Sequence, residues 1–388
     1  MMPKPSKTTT KKATKKATKK VSPKRKSSGS KAKQATQLQV LTEVHDYFSN
    51  HKQFAGQLIK MDSLDNTVPG YVSSQSLALD WIAGNGGFPM SRVIDVSGDE
   101  GTGKSTLGDH IMAEVQRLGG HAYLWDPENA RDNRYQKQLG IARSRAAQIV
   151  SHTMEDGFEL MIEILQQHLM KDPLRPGIIL WDTPAGTPTR NEADPEKTDE
   201  RMGPAKIIRG YLRKLNQILM QTRWVLCVIN QTYRGHMQSG QTYKAVYGGG
   251  GIPFYSSCRL EISHVSRFWR SSTDKSRGMP PLGQTAWVRN IKNRCGMPWR
   301  SRQICIEFGQ GIDNYWTMFD TLKGYGALEV SSNGWAAFDP DCYPELAKAV
   351  PKKWQTGYQG LKHFVAEDPN LWPLLIEVYK SIEESWNV

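Results

Sequence analysis

The stretch Gly98-Asp99-Glu100-Gly101-Thr102-Gly103-Lys104-Ser105-Thr106 decides the fold, because it matches the phosphate-binding pattern G-x-x-x-x-G-K-[ST] at every fixed position. The apolar run at residues 93–97 predicts a buried strand before it, and the residues from Leu107 onward predict a helix after it. Glycines let backbone N–H groups surround phosphate oxygens, and the helix N-terminus adds partial positive charge. The stretch therefore predicts a strand–loop–helix unit that binds nucleotide phosphates; the alternative is a glycine-rich turn that matches by chance.

Three side chains in and around this unit have the chemistry of phosphoryl transfer. Lys104 is positioned by the pattern to reach the β- and γ-phosphates, and the Ser105 hydroxyl to bind Mg²⁺. Asp182 ends the apolar run at residues 177–182, where a nucleotide hydrolase holds the acid that orients Mg²⁺ and its water. We therefore predict Ser105 and Asp182 as the metal-binding residues.

Polar residues follow two further predicted strands, at residues 120–126 and 224–229. Glu128 comes after the first, where a carboxylate can activate the attacking water; the alternative is an exposed loop glutamate. Gln231, preceded by Asn230, comes after the second and can hydrogen-bond the γ-phosphate; the alternative is an ordinary polar strand end. Because the carboxyl ends of parallel strands line one crevice, these residues are predicted to lie together.

Positive charge is concentrated at the N-terminus. Residues 1–36 contain 12 Lys and Arg25 but no Asp or Glu. Subtracting these 13 from the 51 Lys and Arg leaves 38, which equals the number of Asp and Glu. A segment with so few apolar side chains is expected to be disordered, and so dense a cationic arm favours nucleic acid. The alternatives are a solubilising arm or a localisation signal.

Composition excludes several other classes of protein. The mean hydropathy of the 388-residue chain is −0.56, and no apolar run reaches the ~20 residues that span a bilayer. The N-terminus lacks the apolar stretch of a signal peptide. The five cysteines are scattered without a C-x-x-C pair, so we expect neither a zinc site nor a disulfide framework and assign a cytoplasmic location.

The remaining pattern predicts an α/β fold with a mainly parallel sheet, because buried strands alternate with helices from residue 71. Apolar residues at helical spacing from Leu38 to Phe48 predict a helix that packs on the next domain or on a neighbouring subunit. We divide the chain into a disordered tail (1–36), an oligomerisation segment (37–70), an ATPase core (71–312) and a small α+β domain (313–388).

A glycine run predicts a mobile loop. Gly248, Gly249, Gly250 and Gly251 are consecutive, and such a run has high conformational entropy. Lys244 and Tyr247 beside it suit a loop that becomes ordered on DNA. The alternative is a plain flexible linker.

Several longer segments resemble the RecA family of homologous-recombination ATPases, including its phage relatives of the UvsX type. They are residues 76–80 and 86–93 before the phosphate loop, Asp126 to Asp132 with Tyr135, and Asp182-Thr183. The resemblance extends from about Leu38 to Glu384. It departs from the family pattern at Pro253, where the family usually has a lysine before Phe-Tyr, and in the acidic residues of the first loop region.

The resemblance implies roles for residues that the pattern alone does not assign. Asp132 and Tyr135 would lie near the nucleotide base, and Arg201, Met202 and Gly203 would end the first DNA-binding loop. The second DNA-binding loop would reach Phe254-Tyr255. The resemblance also implies that Lys292 and Arg294 are catalytic, by reaching the ATP of the neighbouring filament subunit.

The resemblance thus implies a DNA-dependent ATPase with ATP and Mg²⁺ as ligands. It would form helical filaments on single-stranded DNA and exchange strands with double-stranded DNA, without a membrane partner. It would act at the nucleoid, or in the host cytoplasm if the chain is viral. Two alternatives remain open: a hexameric helicase-type ATPase on the same core, and a filament paralogue without strand exchange.

Overall fold

A computed structural model describes residues 28–52, 67–194, 203–236, 242–269 and 272–384. Two compact units divide the chain, one ending at Thr67 and the other extending from Val68. We describe each unit by itself.

The described part of the first unit is helix α1 (Ser28–Ser49) with a short turn after it. This helix begins within the segment 1–36 that was predicted to be a tail, and the boundary at residue 36 stays a prediction. Alanine, lysine and glutamine are good helix formers, and this segment lacks proline, so its high charge does not prevent a helix. Val40, Leu41, Val44 and Tyr47 are exposed on this helix.

The second unit contains one large sheet, two small ones and helices on both faces. Its strands, in chain order, are β1 (Tyr71–Val72), β2 (Phe88–Pro89), β3 (Arg92–Gly98), β4 (His121–Trp125), β5 (Ala146–Gln148), β6 (Gly177–Asp182), β7 (Trp224–His236), β8 (Thr242–Val246), β9 (Ser256–Phe268), β10 (Gly283–Asn293), β11 (Ser301–Glu307), β12 (Gly311–Ile312), β13 (Leu328–Val330) and β14 (Ala336–Phe338). Its helices are α2 (Leu77–Ala83), α3 (Lys104–Arg117), α4 (Asn133–Gln138), α5 (Met154–Lys171), α6 (Arg190–Ala193), α7 (Pro204–Leu219), α8 (Gly251–Tyr255), α9 (Ser272–Ser276), α10 (Asn314–Gly324), α11 (Pro344–Ala349), α12 (Tyr358–Glu367) and α13 (Leu371–Glu384).

The large sheet has the order β12-β11-β10-β9-β3-β7-β6-β4-β5, with β8 paired to β7. The pairs from β9 through β3 to β5 are parallel, whereas β9 to β12 form an antiparallel flank. This architecture confirms the predicted α/β fold with a mainly parallel sheet. The carboxyl ends of β3, β4, β6 and β7 meet at one edge, which is where such sheets bind ligands.

Helices cover both faces of the sheet, as the continuous apolar strands require. One core cluster includes Leu107 and Ile111 of α3, and the other includes Phe158 of α5 and apolar residues of α7. In the second cluster, the rings of Trp125 and Trp181 stack with centroids 4.8 Å apart at 11°. Each tryptophan precedes an acid of the candidate site, so this pair underlies the ends of β4 and β6.

Helices α10 to α13 and strands β13 and β14 enclose a third cluster of buried apolar residues, including Met318, Leu322, Leu361 and Leu375. These residues belong to the same compact unit as the sheet. The domain boundary proposed at residue 313 therefore stays a prediction. In the described ranges, no helix has the length and apolar character needed to cross a membrane.

Strand β7 extends seven residues beyond the apolar run that predicted it, which ended at Ile229. The added residues pair antiparallel with β8, from Thr232 opposite Val246 to His236 opposite Thr242. The sequence beyond Ile229 is mostly polar, so its hydrophobic periodicity did not predict this hairpin. It projects from the same sheet edge as the phosphate-binding residues.

Candidate active site

A cavity of about 330 Å³ lies at the carboxyl ends of β3, β4, β6 and β7. It brings together most of the residues predicted to bind or hydrolyse nucleotide. Its lining comprises Glu100, Gly101, Lys104, Ser105, Thr106, Asp109, Asp126, Glu128, Ala130, Arg131, Asp132, Tyr135, Asp182 and Gln231.

The phosphate loop joins β3 to α3 and has the backbone that its glycines permit. Gly101 and Gly103 have φ values of 72° and 94°, in the left-handed region that favours glycine. A Cβ atom on Gly103 would lie 2.2 Å from Cδ1 of Ile306, which comes from the antiparallel flank. Gln284 on the same flank donates a hydrogen bond to the Gly101 carbonyl at 2.8 Å. The flank thus supports the loop from one side.

Lys104 begins α3 and is only 7% exposed. Its Nζ donates to the Asp99 carbonyl at 2.7 Å, so the ammonium group lies across the loop. Burial lowers the pKa of Lys104, while the carboxylates of Asp182, Asp99 and Glu100 act in the opposite direction. The positive charges of Lys104 and of the helix N-terminus complement phosphate oxygens. The negative charges of the surrounding acids complement a metal ion bound to those phosphates.

Ser105 and Asp182 are in direct contact, as expected for a metal-binding pair. The Ser105 Oγ donates to Asp182 Oδ2 at 2.6 Å. A hydroxyl and one carboxylate are oxygen ligands of the kind that Mg²⁺ prefers, with phosphates and water completing its octahedron. Within the described ranges, no group of three or more His, Cys, Asp or Glu residues forms a metal site by itself. Ser105 and Asp182 are thus the residues that could hold a magnesium ion here.

Glu128 lies in the cavity, on the segment after β4. Burial raises the pKa of its carboxyl, and the nearby carboxylates of Asp182, Asp126 and Glu100 raise it further. A raised pKa makes a carboxylate a better proton acceptor, because the catalytic optimum lies near the operating pH. A Cβ atom on Gly186 would lie 2.8 Å from Cγ of Glu128, so the side chain packs closely against that glycine.

Asp132 and Tyr135 also line the cavity. Asp132 is the N-cap of α4, and its Oδ1 accepts from the Arg134 and Tyr135 backbone N–H groups. The Tyr135 hydroxyl is 3.2 Å from Thr106 Oγ1. Tyr135, which the resemblance places near the nucleotide base, is thus also in contact with the phosphate loop.

A second cavity of about 600 Å³ adjoins the phosphate loop and shares Tyr135 with the first. Its wall includes Arg267, Phe308 and Gly309, none of which the sequence assigned to the site. They come from β9 and from the turn between β11 and β12. An aromatic ring beside a phosphate-binding loop suits a nucleobase, but no motif surrounds Phe308 that could have indicated this.

Arg131 is a further residue of the first cavity that the sequence did not single out. Its guanidinium is 8% exposed and forms ion pairs with Asp109 of α3 and Asp182 of β6. Arg131 lies within a motif-bearing segment, but its partners are 22 and 51 residues away. Sequence spacing alone could not identify them.

Gln231 occupies the position predicted for a phosphate-sensing amide. On β7 it pairs in register with Gly98, the last residue of β3 and the first of the phosphate loop. The next residue, Thr232, donates a hydrogen bond to the Asp99 carboxylate at 2.5 Å. The phosphate loop and the start of the β7–β8 hairpin are therefore directly linked.

Lys292 and Arg294 do not line the cavity. Gly98 pairs with Ile262, which pairs with Val288 on β10. Lys292 lies four residues further along β10, about 13 Å away along the strand, and Arg294 lies beyond the strand end. Neither side chain is thus near the phosphate loop of its own subunit.

Both residues instead contact the segment that ends the glycine-rich loop. The Lys292 Nζ donates to the carbonyls of Pro253 and Phe254 at 2.7 and 3.0 Å. The Arg294 guanidinium lies 5.9 Å from the centroid of the Phe254 ring. Burial and the nearby cations Arg294 and Arg259 lower the pKa of Lys292 to about 8.

The candidate DNA-binding residues are described only in part. Arg201 and Met202 lie outside the described residues, whereas Gly203 is the N-cap of α7. Lys244 belongs to strand β8. The Tyr247 carbonyl accepts a hydrogen bond from the Asn230 side-chain amide at 3.2 Å.

The structure gives the glycine run a packing role in addition to the predicted mobility. Gly248 and Gly249 have φ values of 78° and 64° and form a turn with Gly250. Gly251 begins α8. A Cβ atom on Gly248 would lie 2.5 Å from Cδ1 of Ile208 on α7. Ordering of this loop on DNA stays a prediction.

The sequence model of the RecA N-terminal domain matches residues 45–313. The chain belongs to the RecA family. It is 29% identical to protein RecA of Desulforapulum autotrophicum over 325 residues, which cover 82% of this chain and 86% of that protein. It is 27% identical to protein RecA of Halalkalibacterium halodurans, with coverage of 82% and 84%, and 30% identical to that of Latilactobacillus sakei, with coverage of 68% and 71%.

These similarities confirm the family that the sequence motifs indicated, and with it a RecA-family recombinase. The family also supports nucleotide binding.

Proposed function

We propose that this protein is a DNA-dependent ATPase that assembles into helical filaments on single-stranded DNA and promotes strand exchange with double-stranded DNA. The observation that carries the proposal is the convergence of Lys104, Ser105, Glu128, Asp182 and Gln231 on one cavity. These residue types supply a phosphate-binding cation, two metal-binding oxygens, a proton acceptor and an amide donor, which are the parts that ATP hydrolysis needs. Its site of action is cytoplasmic, at the nucleoid.

Within one subunit, each side chain has a separate task. Lys104 neutralises the charge that develops on the β- and γ-phosphate oxygens. Ser105 and Asp182 would hold Mg²⁺, which would supply further charge neutralisation. Glu128 accepts the proton of the attacking water, and Gln231 donates a hydrogen bond to the terminal phosphate. Tyr135 and Phe308 enclose the base.

Lys292 and Arg294 complete the site of a neighbouring subunit. Their distance from the phosphate loop of their own chain supports action in trans, since a catalytic cation must lie close to the transferred phosphate. Their contacts to Pro253 and Phe254 link this role to the glycine-rich loop. Nucleotide binding would stabilise the DNA-bound subunit arrangement, and hydrolysis would release it.

The test is ATP hydrolysis by the purified protein with and without single-stranded DNA. We expect stimulation by DNA, and its loss in Glu128→Gln, which keeps the shape of the side chain but cannot accept a proton. Electron microscopy of the same samples would show helical filaments in the presence of ATP. Closed rings would instead favour the helicase-type alternative, and filaments without hydrolysis would favour the paralogue.

A further inference from the structure

Arg131 lies between two carboxylates at the back of the cavity. Its Nη2 donates to Asp182 Oδ2 at 2.7 Å, and its Nη1 donates to Asp109 Oδ1. The side chains of Arg131 and Asp109 are 8% and 4% exposed. The same Asp182 oxygen accepts the Ser105 hydroxyl at 2.6 Å. One oxygen therefore serves both the candidate metal-binding hydroxyl and a buried arginine.

This arrangement is not explained by stability. A buried ion pair is often no more stabilising than apolar side chains of similar volume, because both charges must leave water. The charges do, however, act on what binds next to them, since screening by solvent is weak at a buried site. A positive charge in contact with Asp182 makes that carboxylate less attractive to a second cation, and Asp109 opposes this effect by sharing the guanidinium.

We propose that Arg131 is a positioning residue that weakens Mg²⁺ binding at Asp182, and that Asp109 limits this weakening. The pair would thereby set the Mg²⁺ concentration at which the protein takes up nucleotide. Without Mg²⁺, Arg131 holds the Asp182 carboxylate in place and balances the acids of the cavity. This inference rests on the proposed function, because it concerns the nucleotide site.

The two members of the pair have effects of opposite sign on metal binding. Arg131→Gln removes the competing cation and should lower the Mg²⁺ concentration for half-maximal nucleotide binding about tenfold. This is the size of effect that residues around metal ligands produce, here with the opposite sign because Arg131 competes with the metal ion. Asp109→Asn leaves the guanidinium with Asp182 as its only carboxylate partner among the described residues and should raise that concentration. Arg131→Lys keeps the charge and serves as the matched control, with a midpoint close to that of the wild-type protein.

The assay is the equilibrium binding of a fluorescent ATP analogue, followed by anisotropy, as Mg²⁺ is added to metal-free full-length protein. It measures binding, so it does not depend on hydrolysis. A midpoint for Arg131→Gln that is unchanged or higher would overturn the proposal, as would equal shifts for Arg131→Gln and Arg131→Lys. The same holds if Asp109→Asn lowers the midpoint.

Arg131→Gln leaves two carboxylates without their cation and could prevent folding. In the double variant Asp109→Asn with Arg131→Gln, both substituted side chains are uncharged and similar in shape to the originals. This variant should still have a lower Mg²⁺ midpoint than the wild-type protein. No shift in this folded variant would refute the role of Arg131. Failure of the wild-type protein to bind the analogue at any Mg²⁺ concentration would instead refute the nucleotide site, and this inference with it.

Discussion

Gly186→Ala tests the position of the proposed catalytic carboxylate without removing it. Gly186 ends the short turn Pro184–Gly186 and has no positive φ, so alanine fits its backbone. The new Cβ would lie 2.8 Å from Cγ and 3.0 Å from Oε1 of Glu128. Ordinary carbon contacts are about 3.5–4.0 Å, so the Glu128 side chain must move by roughly 1 Å.

The expected loss follows from this displacement. A misplacement of about 1 Å can reduce a rate about 10²-fold, so we expect kcat for ATP hydrolysis to fall between about 10- and 100-fold. Stability should change little, because the clashing atoms belong to a flexible side chain. Nucleotide binding should persist, since Lys104 and Ser105 are unaffected.

The assay is DNA-stimulated ATP hydrolysis with thermal unfolding measured in parallel. Gly210→Ala is the matched control, because a Cβ atom at this exposed position of α7 meets no atom within 4 Å. In the Glu128→Gln background, Gly186→Ala should have almost no further effect, since no base remains to be displaced. Wild-type turnover in Gly186→Ala, or an additional loss in the double variant, would refute the assignment of Glu128.

Four further outcomes can be measured. Lys104→Ala should reduce ATP turnover ~10²–10³-fold, as for loss of one electrostatic contact to the transition state, and normal turnover would contradict the phosphate-loop assignment. Arg294→Ala filaments should regain part of their activity when mixed with Glu128→Gln subunits, because some interfaces then combine both intact residues; mixed filaments without any recovery would argue against action in trans. Deletion of residues 2–27 removes 11 cations and spares α1. It should make the plot of log affinity for single-stranded DNA against log salt concentration less steep, by about 0.7 for each phosphate no longer neutralised. Identical slopes would mean that the tail does not bind DNA. Burial raises the pKa of Glu383 from 4.5 to about 7, so the folded state retains a proton that the unfolded state loses in this interval, and stability falls as pH rises through it. The Tm difference between Glu383→Gln and the wild-type protein should therefore be larger at pH 8 than at pH 5, and an equal difference would contradict the raised pKa.

Much of the parallel half of the fold could be predicted from sequence, because β3, β4, β6 and β7 each contain a local apolar run. Strand β5, with the sequence Ala-Ala-Gln, has no such run and was not predicted. The strand ending at Asp182 has the predicted bounds, and Glu128 follows β4 as expected, whereas Gln231 lies within β7 because that strand continues to His236. The grouping of the proposed catalytic residues follows from the same rule, since parallel strands direct their carboxyl ends to one edge.

The parts that could not be predicted depend on contacts between distant segments. In the sequence, Arg131 lies among charged residues and looks like a solvent-exposed loop cation. Only the folded structure shows its ion pairs with Asp109 and Asp182. Likewise, the support of Gly103 by Ile306 joins segments about 200 residues apart, and no local pattern encodes it. Contacts of this kind can be identified only in the folded structure.

The stacked pair of Trp125 and Trp181 gives the site an optical signal of its own. Two indole rings 4.8 Å apart couple their strongest electronic transitions, which produces a pair of bands of opposite sign in far-ultraviolet circular dichroism. The rings belong to β4 and β6, whose next residues are Asp126 and Asp182. The difference spectrum between the wild-type protein and Trp125→Phe therefore isolates this pair from the other tryptophans. Changes in that spectrum on addition of nucleotide or DNA would report directly on the spacing of the two strands beneath the acids.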